Sequence, residues 1–355
     1  MPAEDVARNN TKLVILAESG GLPLAFRAVI RWSRVLRKLH LRAADSRLLA
    51  TLSLMSLPLL LLAIRHWPYR PLSAFWAVWL TLCDSLIILL SWHTWDSFMA
   101  ARETVNDLLR DASNEEVSKL EMWYRSALKA TPQATVCACI SGLTLWAALR
   151  LPSPVVERVP VAIVSLVLSG FIAGHAAYFI ICTAIFCRRI ALMSGLSLRW
   201  SDPINTPGLV ALSRAVQLEA LMGIVLFFVT AAPLTYAYVR VHNVSTRALY
   251  ICAMIIPLAC ILVIGVVIQT WLAVPAQAAK AQTLEELAAS IEKARGGRDL
   301  SLMNASDLGT VRSHIEMYQL LSGCGESFFS GGVVTQYLAS IGAATVPFVI
   351  AFLLR

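Results

Sequence analysis

The chain has 355 residues, of which 57% are hydrophobic and 15% are charged, and its mean hydropathy is +0.67. A soluble domain is about one quarter charged, so this composition excludes an ordinary water-facing globular surface. The formal net charge of +8 comes without aromatic–basic interleaving or a nucleic-acid motif. We therefore assign it to topogenic charge on cytoplasmic loops and expect no nucleic-acid partner.

The apolar runs are long and do not alternate with a period of two, which is typical of helices that cross a bilayer. The sequence predicts an all-α membrane protein of the cell membrane with seven transmembrane helices. The predicted spans are 48–64, 71–92, 131–149, 161–187, 219–239, 248–274 and 332–354. An earlier apolar run, 13–30, is broken by Glu18 and Pro23 and predicts an interfacial or re-entrant helix instead.

Connections between the predicted spans alternate between long and short, and most of the 30 Lys and Arg lie in the long ones. The positive-inside rule therefore predicts a cytoplasmic N-terminus and an extracellular C-terminus. The basic run "RWSRVLRKLHLR", just before the first span, contains no acidic residue. A glycosylation sequon at Asn243 falls in a short connection that we expect outside.

This orientation divides the chain into four parts: a cytoplasmic N-terminal segment, six transmembrane helices, a cytoplasmic helical segment and a final transmembrane helix. Their bounds are 1–47, 48–274, 275–331 and 332–355. In the third part, Thr283 and Glu286 form a capping box that predicts a helix over 283–295, ended by Gly296. A second helix is predicted over 307–321. Their apolar stripes either pack within one subunit or form a platform where subunits meet.

No catalytic motif appears in the sequence, and we expect neither enzymatic activity nor a cofactor or metal site. The eight cysteines lie mostly in apolar runs and are interpreted as small buried hydrophobes. Gln269 and Thr270 are interpreted as helix–helix contacts.

Two ionisable residues, Asp84 and His175, fall in the middle of predicted spans. Such groups are costly in lipid and face the protein interior. We expect Asp84 to pair with His175, or with a hydroxyl such as that of Thr81 or Ser85. The alternative is a ligand or gating role.

Aromatic residues in the predicted outer halves of the spans form a candidate site for a small organic ligand. Aromatic residues also collect at membrane interfaces, and that reading stays open. The candidate ligand-binding residues are Trp76, Trp79, Trp146, Phe171, His175, Phe228, Tyr236 and Tyr250.

The final residues, "LLSGCGESFFSGGVVTQYLASIGAATVPFVIAFLLR", resemble the C-terminal pattern of the insect-type gustatory and odorant receptor superfamily. Ser340, Gly342 and Ala343 lie at that family's small-residue step. The overall plan is similar as well: seven helices, a cytoplasmic N-terminus and a chain that ends with helix seven. Where the family carries Thr-Tyr and Gln-Phe, this chain has Val346-Pro347 and Leu353-Leu354, so it resembles a divergent gustatory receptor-like member.

The resemblance implies a chemosensory, ligand-gated, nonselective cation channel for a small-molecule tastant. It implies a homo- or hetero-tetramer, assembled through the cytoplasmic helices and helix seven, with the pore along helix seven. The candidate pore and gate residues are Gln336, Ser340, Thr345, Ile350, Leu353 and Leu354. Two alternatives stay open: a seven-helix receptor of the G-protein-coupled type, and a secondary transporter.

Overall fold

The structure is a computed structural model that describes residues 23–38, 47–56, 71–150, 160–240, 244–296 and 305–325. Within these ranges the chain is all-helical and contains no strand, which confirms the predicted all-α class for this part. The helices are α1 (Leu24–Lys38), α2 (Arg47–Met55), α3 (Pro71–Ala100), α4 (Arg102–Leu108), α5 (Asn114–Ala127), α6 (Ala130–Arg150), α7 (Pro160–Ala191), α8 (Pro207–Arg240), α9 (Val244–Arg295) and α10 (Ala305–Gly323).

Five of the predicted spans lie entirely inside helices, namely α3, α6, α7, α8 and α9. The first predicted span begins as α2, and its remainder lies outside the described residues, as does the whole last span, 332–354. Among the described residues, two helical stretches are long and apolar enough to cross a membrane: Val78–Ala100 and Ile163–Ala191. This finding concerns length and composition only.

Helices α6 and α7 pack against each other with almost no space between their backbones. A Cβ atom placed on Gly174 would lie 2.7 Å from the Cα of Cys137, and one on Gly170 would lie 2.7 Å from the Cα of Ser141. Two glycines four residues apart form the small-residue face through which membrane helices approach closely. The Ser141 hydroxyl also donates a hydrogen bond to the carbonyl oxygen of Val167 across this contact.

Helix α1 begins inside the bundle. The Phe26 ring is fully buried and stacks on Trp92 of α3 at a centroid distance of 4.6 Å. The Leu24 backbone N–H donates to Oε1 of Gln133 on α6, 2.9 Å away. The Gln133 side chain thereby pairs one of the backbone N–H groups that have no partner within the first turn of a helix. The observed helix starts at Leu24, whereas most of the predicted interfacial run 13–30 lies outside the described residues.

The predicted connection 93–130 contains two helices that the sequence analysis did not predict, α4 and α5. The Ser113 hydroxyl accepts a hydrogen bond from the backbone N–H of Glu116 at 3.2 Å, so it caps the start of α5. The turn at Gly195 packs against Asp111 with φ +71°, a backbone conformation that glycine adopts without strain.

Helix α9 is continuous for 52 residues, from Val244 to Arg295. The predicted helix start at Thr283 is therefore wrong. The Thr283 hydroxyl donates to the carbonyl oxygen of Ala279 inside the helix, and Oε1 of Glu286 accepts from Gln282. A capping box needs a chain that enters the helix there, and here the helix already exists. The predicted end is confirmed, because Gly296 has φ +56°.

Helix α10 confirms the predicted helix over 307–321 and packs against the end of α9. Its Val311 and Leu321 side chains are buried. The buried Lys280 amino group of α9 donates to the carbonyl oxygens of Ser322, at 3.3 Å, and Cys324, at 2.7 Å. A cation on the last carbonyls also complements the negative end of the helix dipole.

The glycine contact gives a matched pair of substitutions. Gly174→Ala is expected to lower the free energy of unfolding by about 1–3 kcal/mol, because its Cβ meets the α6 backbone. Gly142→Ala, at a helical site where a Cβ meets nothing within 4 Å, should leave stability unchanged or raise it by up to about 1 kcal/mol. Both can be measured by denaturant unfolding in detergent micelles. Equal effects of the two variants would contradict the close approach.

Candidate functional site

A small, partly open cavity lies where α3, α5, α6 and α7 meet beside Pro23. Its volume is about 30 Å³. Most of its wall consists of aromatic rings and other apolar groups, among them Trp95, Phe98 and Phe179. Aromatic side chains on three separate helices, α3, α5 and α7, converge here, and α6 contributes Gln133.

Two polar atoms of the cavity wall have no hydrogen-bond partner among the described residues: Nε2 of His175 and the Tyr124 hydroxyl. Other polar groups of the wall are satisfied, since Tyr178 donates to the carbonyl oxygen of Ala127 at 2.6 Å. Burial raises the pKa of Tyr124, so its hydroxyl stays protonated and is available as a donor.

The size of the cavity limits what it admits. A water molecule needs roughly 10–15 Å³ measured in this way, so one or two waters fit beside the two unpaired polar atoms. A drug-sized ligand needs a pocket of several hundred Å³, on the order of 300 Å³ or more. In this conformation the cavity is therefore closed to a small organic ligand and would have to widen to take one.

Of the predicted ligand-binding residues, His175 lies in the cavity wall, where its ring meets Phe26 edge-on at 5.6 Å. Phe171 and Trp79 are half-buried, and Trp146 is 60% exposed. The structure brings none of these three into the cavity wall. The remaining four lie on described helices, but their side chains are outside the described part: Trp76, Phe228, Tyr236 and Tyr250.

The predicted pore and the predicted glycosylation site both lie outside the described residues. The pore set comprises Gln336, Ser340, Thr345, Ile350, Leu353 and Leu354, and the glycosylation site is Asn243. These predictions stand as the sequence made them.

Asp84 is buried and accepts a hydrogen bond from the Ser169 hydroxyl of α7, 2.7 Å from Oδ2. The predicted pairing with a hydroxyl is confirmed, but the hydroxyl is that of Ser169 and not that of Ser85, which donates to the carbonyl oxygen of Thr81 in its own helix. The alternative partner, His175, is not the one that the structure shows, and its Nε2 is unpaired among the described residues. A short serine or threonine side chain in a helix readily bonds the preceding turn, so it is not free to reach a neighbour.

A second buried carboxyl, Glu219 on α8, was not singled out from the sequence, which had placed it at the edge of a span. Its Oε1 accepts a hydrogen bond from the Thr183 hydroxyl of α7 at 2.6 Å. Its Oε2 has no partner among the described residues. A Glu flanked by apolar residues was the available sequence signal, because an ionisable group amid apolar neighbours is costly unless it has a partner.

Gln269 confirms its prediction as a helix–helix contact. Its side-chain amide accepts from the Ser213 hydroxyl at 2.7 Å and donates to the Ser213 carbonyl oxygen at 3.0 Å, joining α9 to α8. The prediction for Thr270 is wrong, because its exposed hydroxyl bonds Val267 in the same helix.

Searches for similar proteins add no assignment to this geometry. No family model, curated protein or solved structure matches the chain. Within the described ranges, no three His, Cys, Asp or Glu side chains are grouped to hold a metal ion. The candidate site therefore consists of a small aromatic cavity and of hydrogen bonds that join neighbouring helices, among them Ser169–Asp84, Thr183–Glu219 and Ser213–Gln269.

The Thr183–Glu219 hydrogen bond can be tested by removing its donor. Thr183→Val should destabilise the protein by about 1–2 kcal/mol, because it leaves both oxygens of a buried carboxyl unpaired. Thr183→Ser should restore stability. Thr135→Val is the matched control, since that exposed hydroxyl bonds only its own helix. Thermal unfolding in detergent measures all three, and a Thr183→Val variant as stable as Thr135→Val would refute the link.

Proposed function

We propose that the chain is a chemosensory receptor of the gustatory type, acting as a ligand-gated nonselective cation channel with seven transmembrane helices. The first support is the distribution of polarity. Many exposed side chains on the long helices are large and apolar, whereas buried polar side chains link one helix to the next. The exposed residues include Leu82, Leu86, Leu143, Val164, Val167, Ile181, Ile185, Val263 and Val266. Hydrocarbon, not water, favours this arrangement.

The observation that carries the proposal is the length of α9. Its 52 residues span about 78 Å, against about 30 Å for the hydrocarbon core of a bilayer. The predicted span ends at residue 274, so the remaining 21 residues extend about 30 Å beyond it. Helix α10 packs back along this extension. A helical cytoplasmic segment before the last span is the plan of the gustatory and odorant receptor superfamily that the sequence resembles.

The extension provides a mechanical route to the proposed pore. Lys280 holds the end of α10 through two carbonyl oxygens, and the residues that follow lead into the last span. Displacement of the α9 extension would therefore be carried to the start of helix seven. In the proposed tetramer, the exposed Leu308 and Leu320 of α10 would face a neighbouring subunit, since they are too apolar for a purely solvated surface.

The proposed ligand is a small organic molecule bound among the outer halves of helices 2 to 6, with His175 at the inner end of the site. Aromatic walls with few polar groups suit such a ligand. The unpaired His175 Nε2 offers a hydrogen bond at the inner end of such a site. The cavity below it is lined by Trp95, Tyr124 and Leu128 of the predicted cytoplasmic connection, so it lies on the inner side of the proposed ligand site. Binding would then favour a wider state of the bundle and shift the population toward it.

A secondary transporter is the second candidate function, favoured by one observation. Asp84 and Glu219 are buried carboxyls on apolar helices, and intramembrane acids of this kind mark ion or proton paths in carriers. Single-channel recording separates the two functions, because a channel gives discrete unitary currents and a carrier does not.

The proposed topology predicts a clear staining pattern. In intact cells, an epitope fused to the C-terminus should bind antibody, whereas one fused to the N-terminus should bind it only after permeabilisation. The two tags serve as controls for each other. An N-terminal tag that stains in intact cells would exclude this proposal and favour a G-protein-coupled type of receptor.

The pore assignment predicts specific changes in current. A tastant panel should evoke cation current in expressing cells, with discrete steps in excised patches. Gln336→Ala should lower the unitary current because it removes a polar pore group, and Leu354→Ala should raise the leak because it weakens a hydrophobic gate. Leu143→Ala is the control, since this exposed side chain is 62% accessible on α6 and should change neither. Substrate-driven flux without discrete steps would indicate the transporter.

A further inference from the structure

Helix α1 has two sharply different faces. Phe26, Val29 and Leu36 are buried in the bundle. On the opposite side, four cations are exposed to solvent: Arg31, Arg34, Arg37 and Lys38. At 100° per residue these four fall within an arc of about 120°. No acidic residue occurs anywhere in α1.

The four cations lack an ion-pair partner among the described residues, whereas five cations of the connections have one: Arg110, Lys119, Arg125, Arg295 and Arg312. Elsewhere, Lys119 pairs with Glu115 and Arg312 pairs with Glu316 on their own helices. Like charges three and four residues apart on a helix repel each other, so this face is destabilising unless an anion covers it. The repulsion among the four cations of α1 would be relieved by an anionic partner from outside the chain.

The position of α1 identifies where that partner lies. Phe26 stacks on Trp92 and meets Trp95, which are near the end of α3 that leads into the predicted cytoplasmic connection 93–130. The Trp32 indole N–H donates to the Ser53 hydroxyl at 2.9 Å and fixes α1 against α2. The charged face is therefore held rigidly at the level where α3 leaves the proposed bilayer.

Apolar side chains border the charged face. Val35 on α1 and Leu48 on the adjoining α2 are both more than 40% exposed. A helix that combines exposed cations with apolar residues at its edge is typical of one lying at the boundary between headgroups and acyl chains. A soluble acidic protein would not need the apolar border.

We propose that the basic face of α1 is a docking surface for the phosphates of anionic lipids in the cytoplasmic leaflet. Arg31, Arg34 and Arg37 bind phosphate oxygens through their planar guanidinium groups, and Lys38 adds a point charge. Val35 and Leu48 enter the acyl boundary. This inference rests on the membrane location in the proposed function and does not depend on channel activity.

The test measures binding of fluorescent phosphatidylserine to the full-length protein in neutral detergent micelles. The α1 variant carries Arg31→Gln, Arg34→Gln, Arg37→Gln and Lys38→Gln. The control variant carries Lys129→Gln, Arg199→Gln, Arg214→Gln and Lys293→Gln, which are exposed cations on the same predicted side with the same change in net charge. We expect the α1 variant to bind about tenfold or more weakly, the control within about twofold of wild type, and wild-type binding to fall with added salt.

Equal weakening in the two variants, or none in the α1 variant, would overturn the proposal. Displacement of the lipid by inorganic phosphate or poly-glutamate at the same charge concentration would also overturn it, by indicating a free-anion or acidic-protein site. If the α1 variant does not fold, the milder double variant Arg34→Gln, Arg37→Gln should still bind the lipid severalfold more weakly than wild type, and unchanged binding by it would count against the proposal. The membrane location on which this inference rests is tested separately: the protein should stay in membrane fractions that are washed with alkaline carbonate. Its release would count against the membrane location in the proposed function, whereas the lipid-binding assay tests the α1 surface.

Discussion

The close approach of α6 and α7 is the constraint on which the rest of the bundle depends. Gly170 and Gly174 let two backbones meet where any larger side chain would hold them apart. With α6 fixed there, Gln133 receives the first N–H of α1, and α7 presents Ser169 and Thr183 to α3 and α8. One tight pair of helices thus sets the position of three others, α1, α3 and α8.

Polar side chains then determine which faces of the helices meet. Apolar residues give little specificity between helices in hydrocarbon, because lipid is as good a partner as another helix. The Ser169–Asp84, Thr183–Glu219 and Ser213–Gln269 bonds each connect a different pair of helices. Among the described residues, this network leaves several buried polar atoms unpaired, including His175 Nε2 and the Tyr124 hydroxyl beside the cavity and Oε2 of Glu219.

Function on this account is distributed along the bundle axis. In the proposed receptor, the ligand would bind among aromatic side chains, and the α9 extension would carry displacement away from that region. Lys280 would pass the displacement to the residues before the last predicted span. Helix α1 lies beside the C-terminal end of α3, and in the proposed topology its four exposed cations would face the cytoplasmic leaflet. Lipid bound there would stabilise the bundle where α1 joins it, so the composition of the membrane would influence the same helices that the ligand must move.

The sequence by itself determined the helical class, the location of five long helices and the end of α9 at Gly296, because apolar runs and glycine act locally along the chain. It also predicted the Gln269 contact, since a lone amide in an apolar helix needs a partner. Only the tertiary structure decided that Ser169 bonds Asp84 and that α9 continues through Thr283. Both depend on residues far apart in the chain or on a helix already formed, and local sequence patterns carry no information about distance in space.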